Sequence, residues 1–302
     1  MSALTNIGRF APSPTGPLHF GSLTSALASY LQTRQGQGQW LVRMEDLDPP
    51  REVSGASDEI LQQLDNHGLH WDSSVLYQSN RLESYREALE SLSDLGLIYH
   101  CQCNRQRISA LGGIYDGHCR NLQLGKAGSA MRLIIRDRDT TISFVDQIMG
   151  HYQQQLSSEV GDFVLQRRDK LFSYQLAVVV DDQFQSISQV MRGADLLDST
   201  PRQIYLQQSL GYQQPEYAHL PLALNGEGQK LSKQNHAASL QVGIESHNLW
   251  QALNWLRQEP PHELQYQSVD EILAWALSHW DVHKLGHQLG VRPENTTAPE
   301  GY

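Results

Sequence analysis

The chain has 302 residues, with 33 acidic against 23 basic side chains and a net charge of −10. That balance excludes general adhesion to nucleic acid, so any RNA contact must come from a local basic patch. No run of about 18 apolar residues occurs, so no membrane span is expected; residues 1–6 lack the basic and long apolar regions of a secretory signal, and the expected compartment is the cytoplasm.

In chain order, Ile7 to Ala11 reads as a strand stopped by Pro12, Pro14, Gly16 and Pro17, after which Leu23, Ala26, Leu27, Tyr30 and Leu31 recur with helical spacing. Strand, tight loop and helix place the free N–H groups and positive dipole end of the helix above the strand, where the natural ligand is an anion. Gly21 lets the backbone approach such a ligand and His19 offers a ring nitrogen to a phosphate oxygen; the plainer reading is a turn glycine and a surface histidine. Gln39 to Met44 reads as a second strand and completes a strand–helix–strand unit. Its acidic end, Glu45-Asp46-Leu47-Asp48, lies where open parallel sheets bind ligands, so Glu45 is placed to meet an ammonium group, unless these acids only cap the turn before Pro49-Pro50. Helical patterns follow at 55–66 and 80–95.

The three cysteines, Cys101, Cys103 and Cys119, are clustered. Clustered thiolates in a reducing compartment suit tetrahedral zinc, and chemistry alone points to His118 or His100 as the fourth ligand. Short strands are expected at 130–136, 140–145 and 162–166. The clustered bases Arg105, Arg107, Arg132, Arg136, Arg138, Arg167, Arg168 and Lys170 make this segment the best place for phosphate-backbone contact. Leu171 to Asp182 is a continuous apolar run suited to an element buried on both sides. Ser199-Thr200-Pro201 starts a helix running to Leu210. Next, Lys230-Leu231-Ser232-Lys233-Gln234 follows a glycine-bearing stretch, and two lysines there can neutralise charge on a triphosphate during displacement. Helices are expected at 245–258 and 268–279, with a shorter one to about Leu289; no internal repeat or low-complexity tract is found.

Together the two loops resemble those of the class I aminoacyl-tRNA synthetases, with His19-Phe20-Gly21-Ser22 in the place of HIGH and Lys230 to Gln234 in the place of KMSKS. Arg9 to Gly16 is similar to the glutamate-activating branch. Ordinary glutamyl-tRNA synthetases continue after the lysine loop into a large helical anticodon-binding region, whereas here only residues 235–302 follow; the chain therefore resembles the truncated paralogues of that family. Ser22 and Gln234 depart from the two motifs at positions where relatives vary.

The resemblance implies an α/β fold: a Rossmann-like class I catalytic domain in two halves, 1–98 and 171–215. Between them stands an inserted zinc-bearing, RNA-contacting α+β subdomain at 99–170, and after them a KMSKS-like loop and helical stem-contact region at 216–302, with no anticodon-binding domain. It implies ATP-dependent, tRNA-independent activation of L-glutamate, with His19, Lys230 and Lys233 catalytic and Gly21, Ser22 and Ser232 joining them on ATP, aided by Mg²⁺. Glutamate would be held by Arg9, Ala11, Ser13, Glu45, Tyr174 and Arg192. The guanidinium fork of Arg9 and Arg192 matches a carboxylate, against the alternative of structural ion pairs with Asp195 or another acid, and Tyr174 reads equally well as a core aromatic. One structural zinc would be shared by Cys101, Cys103, Tyr115 and Cys119. A monomer would then pass glutamate to the queuosine base in the anticodon stem-loop of tRNA(Asp). Conventional charging of a tRNA 3′ end, a related nucleotidyltransferase acting on a free small acid, and a non-catalytic RNA-binding module are the alternatives.

Overall fold

The computed structural model describes residues 6–137, 140–224, 239–286 and 289–291; Lys230, Ser232, Lys233 and Gln234 lie outside the described residues, as does Arg138. Strand β1 (Ile7–Phe10), helix α1 (Phe20–Gln35) and strand β2 (Gln39–Met44) form a parallel crossover unit in which Arg9 pairs with Leu41. Trp40 locks that unit: its ring stacks on Phe10 at 6.4 Å between centroids, meets Tyr30 edge-on at 5.2 Å and donates Nε1 to Ser29 Oγ at 3.0 Å. Gly8 is required for the contact, because a Cβ there would lie 2.0 Å from Thr33 Oγ1 on α1.

Helix α1 starts where it does because His19 and Ser22 cap it reciprocally. Ser22 N donates to His19 Nδ1 at 3.3 Å and His19 N donates to Ser22 Oγ at 3.1 Å. Ser22, a departure from the family motif, thus has a structural role. Helix α2 (Ala56–Asn66), strand β3 (Leu76–Tyr77), helix α3 (Leu82–Asp94) and strand β4 (Ile98–Cys101) follow.

The next stretch divides between two sheets. It comprises α4 (Arg105–Ala110), β5 (Ala130–Leu133), the hairpin β6 (Thr141–Asp146) and β7 (Gly150–Gln155), the single turn α5 (Leu156–Glu159) and β8 (Phe163–Gln166). Strands β4, β5 and β8 make a small antiparallel sheet. The hairpin instead joins the main sheet, which is completed by α6 (Tyr174–Phe184), β9 (Gln189–Gly193), α7 (Thr200–Leu210) and β10 (Glu216–Leu220). Its order is β3-β2-β1-β9-β10-β6-β7, parallel apart from the antiparallel β6–β7 hairpin. Residues 141–155, expected within the insertion, therefore extend the main sheet.

The apolar run at 171–182 is helical from Tyr174 onward. Ser173 caps α6 by accepting from Leu176 N at 3.4 Å, and Leu176 to Asp182 are buried all round the helix, which explains why no amphipathic period shows in the sequence. Beyond β10 come β11 (Leu222–Ala223), α8 (Glu245–Trp255), α9 (Val269–His279) and β12 (Gly290–Val291), which pairs with β11. One face of the sheet packs against α1, α2, α8 and α9 and the other against α3, α6 and α7, so the parallel strands are covered on both sides. Each fully buried Leu or Ile contributes about 1.5–3 kcal/mol. No helix among the described residues is long and apolar enough to cross a membrane.

Candidate active site and metal centre

A cleft of about 580 Å³ opens at the carboxyl ends of the parallel strands. It is lined by Arg9, Ala11, Ser13, His19, Gly21, Ser22, Glu45, Tyr174 and Arg192, so every described residue expected to touch glutamate or ATP faces one space. The segment holding Lys230, Ser232 and Lys233 is flanked by residues at this same cleft. Ala223 lines it, and Ser239 forms a β-bridge with His19.

At one end of the cleft stands a buried charge cluster. Arg9 Nε donates to Asp182 Oδ1 at 3.2 Å, and Arg43 Nη2 donates to the same oxygen at 2.6 Å while its Nη1 reaches Gln185 Oε1 at 2.9 Å. Arg9 is therefore ion-paired, with Asp182 rather than Asp195, but through Nε only. Among the described residues its two terminal nitrogens make no hydrogen bond, and Arg9 lines the cleft. That leaves a planar fork available for a carboxylate.

Glu45 follows β2 and its N–H donates to Pro12 O at 2.9 Å, which ties the acidic corner to the loop after β1. Burial pushes its carboxyl up to about 7, against the opposing pull of Arg43, 3.9 Å away, and Arg9. Arg192 is held more completely. Its Nε donates to His219 Nε2 at 3.1 Å, Nη1 to Tyr174 Oη at 3.1 Å and Nη2 to Thr200 Oγ1 at 2.9 Å.

His19 accepts through Nδ1, so its proton sits on Nε2, and the first N–H groups of α1 face the same cleft. The arrangement offers an anion site at the helix start and a zwitterion site, acid plus guanidinium fork, at the sheet.

Sequence reasoning missed Arg43, Asp182, His219 and Asp146. Arg43 is the one charged residue of β2 and Asp181-Asp182 directly follows a run of three valines; a charge beside such a run must be paired once buried, and that was the available signal.

The cysteines meet away from the cleft. The sulfurs of Cys101, Cys103 and Cys119 lie within 4.8 Å of one another. Tyr115 Oη is 3.4 Å from Cys101 Sγ and 3.5 Å from Cys103 Sγ, and Cys103 Sγ is 3.4 Å from Cys119 Sγ. Four donors at these separations fit the edges of a small tetrahedron. Neither His118, which is exposed, nor His100 belongs to the group. Burial raises the Cys101 thiol, but hydrogen bonds with Tyr115, the Cys103 backbone and Arg132 outweigh it and bring the thiol down to about 7, favouring thiolate.

Tyr115 is fixed from two sides. Arg132 lies over its ring at 4.0 Å, and Gly161 packs on its backbone, where a Cβ would meet Tyr115 O at 2.2 Å. Arg132, expected among the phosphate-contacting bases, is thus buried in the knuckle. Arg107 pairs with Asp116 and Arg167 with Asp169, leaving Arg105, Arg136, Arg168 and Lys170 as exposed bases of this segment without an ion pair among the described residues.

Residues 7–253 match the family model for tRNA synthetases class I (E and Q), catalytic domain. The chain is 54% identical over 281 residues to the glutamyl-Q tRNA(Asp) synthetase of Klebsiella pneumoniae (strain 342), covering 93% of this chain and 95% of that protein. It is also 54% identical over 276 residues to the protein of the same name from Escherichia coli (strain K12), covering 91% and 88%. A solved glutamate tRNA ligase from Elizabethkingia meningosepticum, in complex with its amino acid, superposes with a TM-score of 0.77 at 25% identity, covering 96% of this chain and 67% of that one.

Proposed function

The chain belongs to the class I tRNA synthetases of the E and Q type and is a ligase of that kind, and we propose that it activates L-glutamate with ATP without RNA and passes the glutamyl group to the queuosine base in the anticodon stem-loop of tRNA(Asp). The observation that carries the activation step is the single cleft that gathers an anion site at α1, the Arg9 fork and Glu45. The relatives named glutamyl-Q tRNA(Asp) synthetase support the acceptor.

In this reading Glu45 meets the glutamate ammonium, and Arg9 with the Arg192–Tyr174 pair binds the side-chain carboxylate, flanked by Ala11 and Ser13. The α-carboxylate, left facing α1, attacks the α-phosphorus of ATP and pyrophosphate departs. His19, Gly21 and Ser22 at the helix start, with Lys230, Ser232 and Lys233, stabilise the charge that develops. Mg²⁺, when bound, supplies further neutralisation of the phosphates. A hydroxyl of the acceptor then attacks the glutamyl carbonyl and AMP leaves. Glutamine is rejected because it brings no charge to the guanidinium. A cytoplasmic monomer suffices for this chemistry, with residues 99–170 offering the RNA-contacting surface.

The test is glutamate-dependent ATP–pyrophosphate exchange without RNA, beside glutamine and aspartate, followed by transfer of labelled glutamate to tRNA(Asp) with and without queuosine. Exchange with glutamate alone and transfer only to the modified tRNA are expected. Exchange that appears only with tRNA would favour conventional 3′ charging, and none at all would favour a binding module. The KM for glutamate should rise as pH falls below about 7, because Glu45 must lose its proton before it can pair with an ammonium.

We also assign one structural zinc to Cys101, Cys103, Tyr115 and Cys119. Metal analysis of purified protein should find about one zinc per chain, lost in Cys101→Ser and kept in His118→Ala. Zinc retained in the first variant, or lost in the second, would overturn the ligand set.

A further inference from the structure

Behind Arg192 lies a pair of groups that the reaction does not touch. His219 on β10 and Asp146 at the end of β6 are both buried, and His219 Nδ1 is 2.6 Å from Asp146 Oδ2. The two Asp146 oxygens have separate tasks. Oδ1 accepts from the backbone N–H groups of Ile148 at 3.0 Å, Met149 at 2.8 Å and His219 at 3.1 Å, which ties the turn of the β6–β7 hairpin to β10, whereas Oδ2 faces the imidazole.

We propose that Asp146 and His219 are positioning residues for glutamate selection: Asp146 fixes His219 in the tautomer whose Nε2 accepts from Arg192, and so holds the guanidinium against Tyr174 at the cleft. This rests on the reading of the cleft as a glutamate site.

The tautomer follows from the partners. A carboxylate only accepts, so Nδ1 carries the proton; a guanidinium only donates, so Nε2 must accept from Arg192 Nε. The opposite tautomer would set an N–H against the Arg192 N–H and turn a lone pair toward the carboxylate. Thr200 closes the arrangement, its Oγ1 lying 3.1 Å from His219 Nε2 while accepting from Arg192 Nη2. Burial and the charges of Arg192 and Arg9 hold His219 below its ordinary range in spite of Asp146, which keeps the ring neutral. Arg192 is thereby held through Nε by His219, through Nη2 by Thr200 and through Nη1 by Tyr174.

Substitutions separate this role from simple tying of the hairpin. Asp146→Asn keeps an oxygen for the turn but presents an amide N–H₂ to His219, favouring the wrong tautomer, an effect with precedent in histidine–aspartate pairs. His219→Gln places an amide oxygen where Nε2 accepts, an orientation chosen by the Arg192 N–H itself, and gives up the contact through which Asp146 acts. In glutamate-dependent exchange, Asp146→Asn should raise the glutamate KM at least about ten-fold, with kcat and the ATP KM within about three-fold of wild type. His219→Gln should raise the glutamate KM less than Asp146→Asn does, and adding Asp146→Asn to it should change little further, so that the two substitutions are non-additive. An unchanged glutamate KM in Asp146→Asn, an equal rise for ATP, or the same penalty in the glutamine background would overturn the proposal.

Should Asp146→Asn fail to fold, His219→Asn replaces it: it keeps a donor for Asp146 but is too short to accept from Arg192, so the same rise is expected and a wild-type KM overturns the proposal. Calorimetric titration with glutamate gives the same comparison without exchange. Wild-type protein that exchanges while these variants match it fails this proposal alone; wild type that neither exchanges nor binds glutamate overturns both readings.

Discussion

Arg9→Ala is expected to raise the KM for glutamate by about 100- to 1000-fold, roughly 3–4 kcal/mol, the loss typical when one partner of a buried charge contact is removed. The protein should still fold, because Asp182 keeps its 2.6 Å bond to Arg43 when Arg9 is gone. Selectivity should fall with affinity: without the fork, glutamate loses its advantage over glutamine and the two should differ by no more than about ten-fold. Arg9→Lys should recover only part of the loss, since one ammonium cannot hold Asp182 and grip a carboxylate with two parallel bonds. Steady-state exchange kinetics with both amino acids decide the matter. A wild-type KM with wild-type discrimination would reduce Arg9 to a structural partner of Asp182.

The second large effect belongs to His19, whose ring caps α1 and, in the proposed mechanism, also meets the triphosphate, two duties that substitution can part. His19→Ala should lower the exchange kcat by about 100- to 1000-fold, as for loss of a preorganised donor to developing charge. It should also cost about 1 kcal/mol of stability, because Ser22 N loses its cap. His19→Asn should restore the stability, an asparagine oxygen being a good acceptor at that position, without restoring the rate. Thermal melts and exchange rates of the two variants give the answer, and wild-type turnover in His19→Asn would leave the histidine with capping alone.

How much of this was legible depended on how local the signal was. The loop from Arg9 to Ser22 and the acid at Glu45 could be read because strand, breakers and helix follow one another within one crossover unit. The cysteine knuckle was equally visible, as a cluster in a chain with no other cysteines. Arg9 and Arg192 could be named, but not what holds them: Asp182 and His219 reach them from α6 and β10, across 173 and 27 residues. Periodicity also failed at Leu176 to Asp182, where a helix buried on every side leaves no polar stripe, although Ser173 was a readable start signal. The β6–β7 hairpin carries the alternation of a half-exposed strand pair but nothing that says which sheet it joins; Asp146, seated beside Tyr217 in the register, settles that in three dimensions.

The acid pair on α6 has a consequence for how the chain is made. Asp182 serves Arg9 and Arg43 from 173 and 139 residues away, and Asp181 serves Arg81 and Tyr85 from 100 and 96. During synthesis the cations are made first and must wait for their counter-ions until α6 has left the ribosome. The amino-terminal crossover unit can collapse around Trp40 well before then, but Arg43 would be buried with Glu45 alone, 3.9 Å away, and without its hydrogen bonds to Asp182 and Gln185. A nascent chain halted before residue 174 should therefore remain protease-sensitive, and the passage of α6 should mark the moment at which the first half of the molecule becomes native.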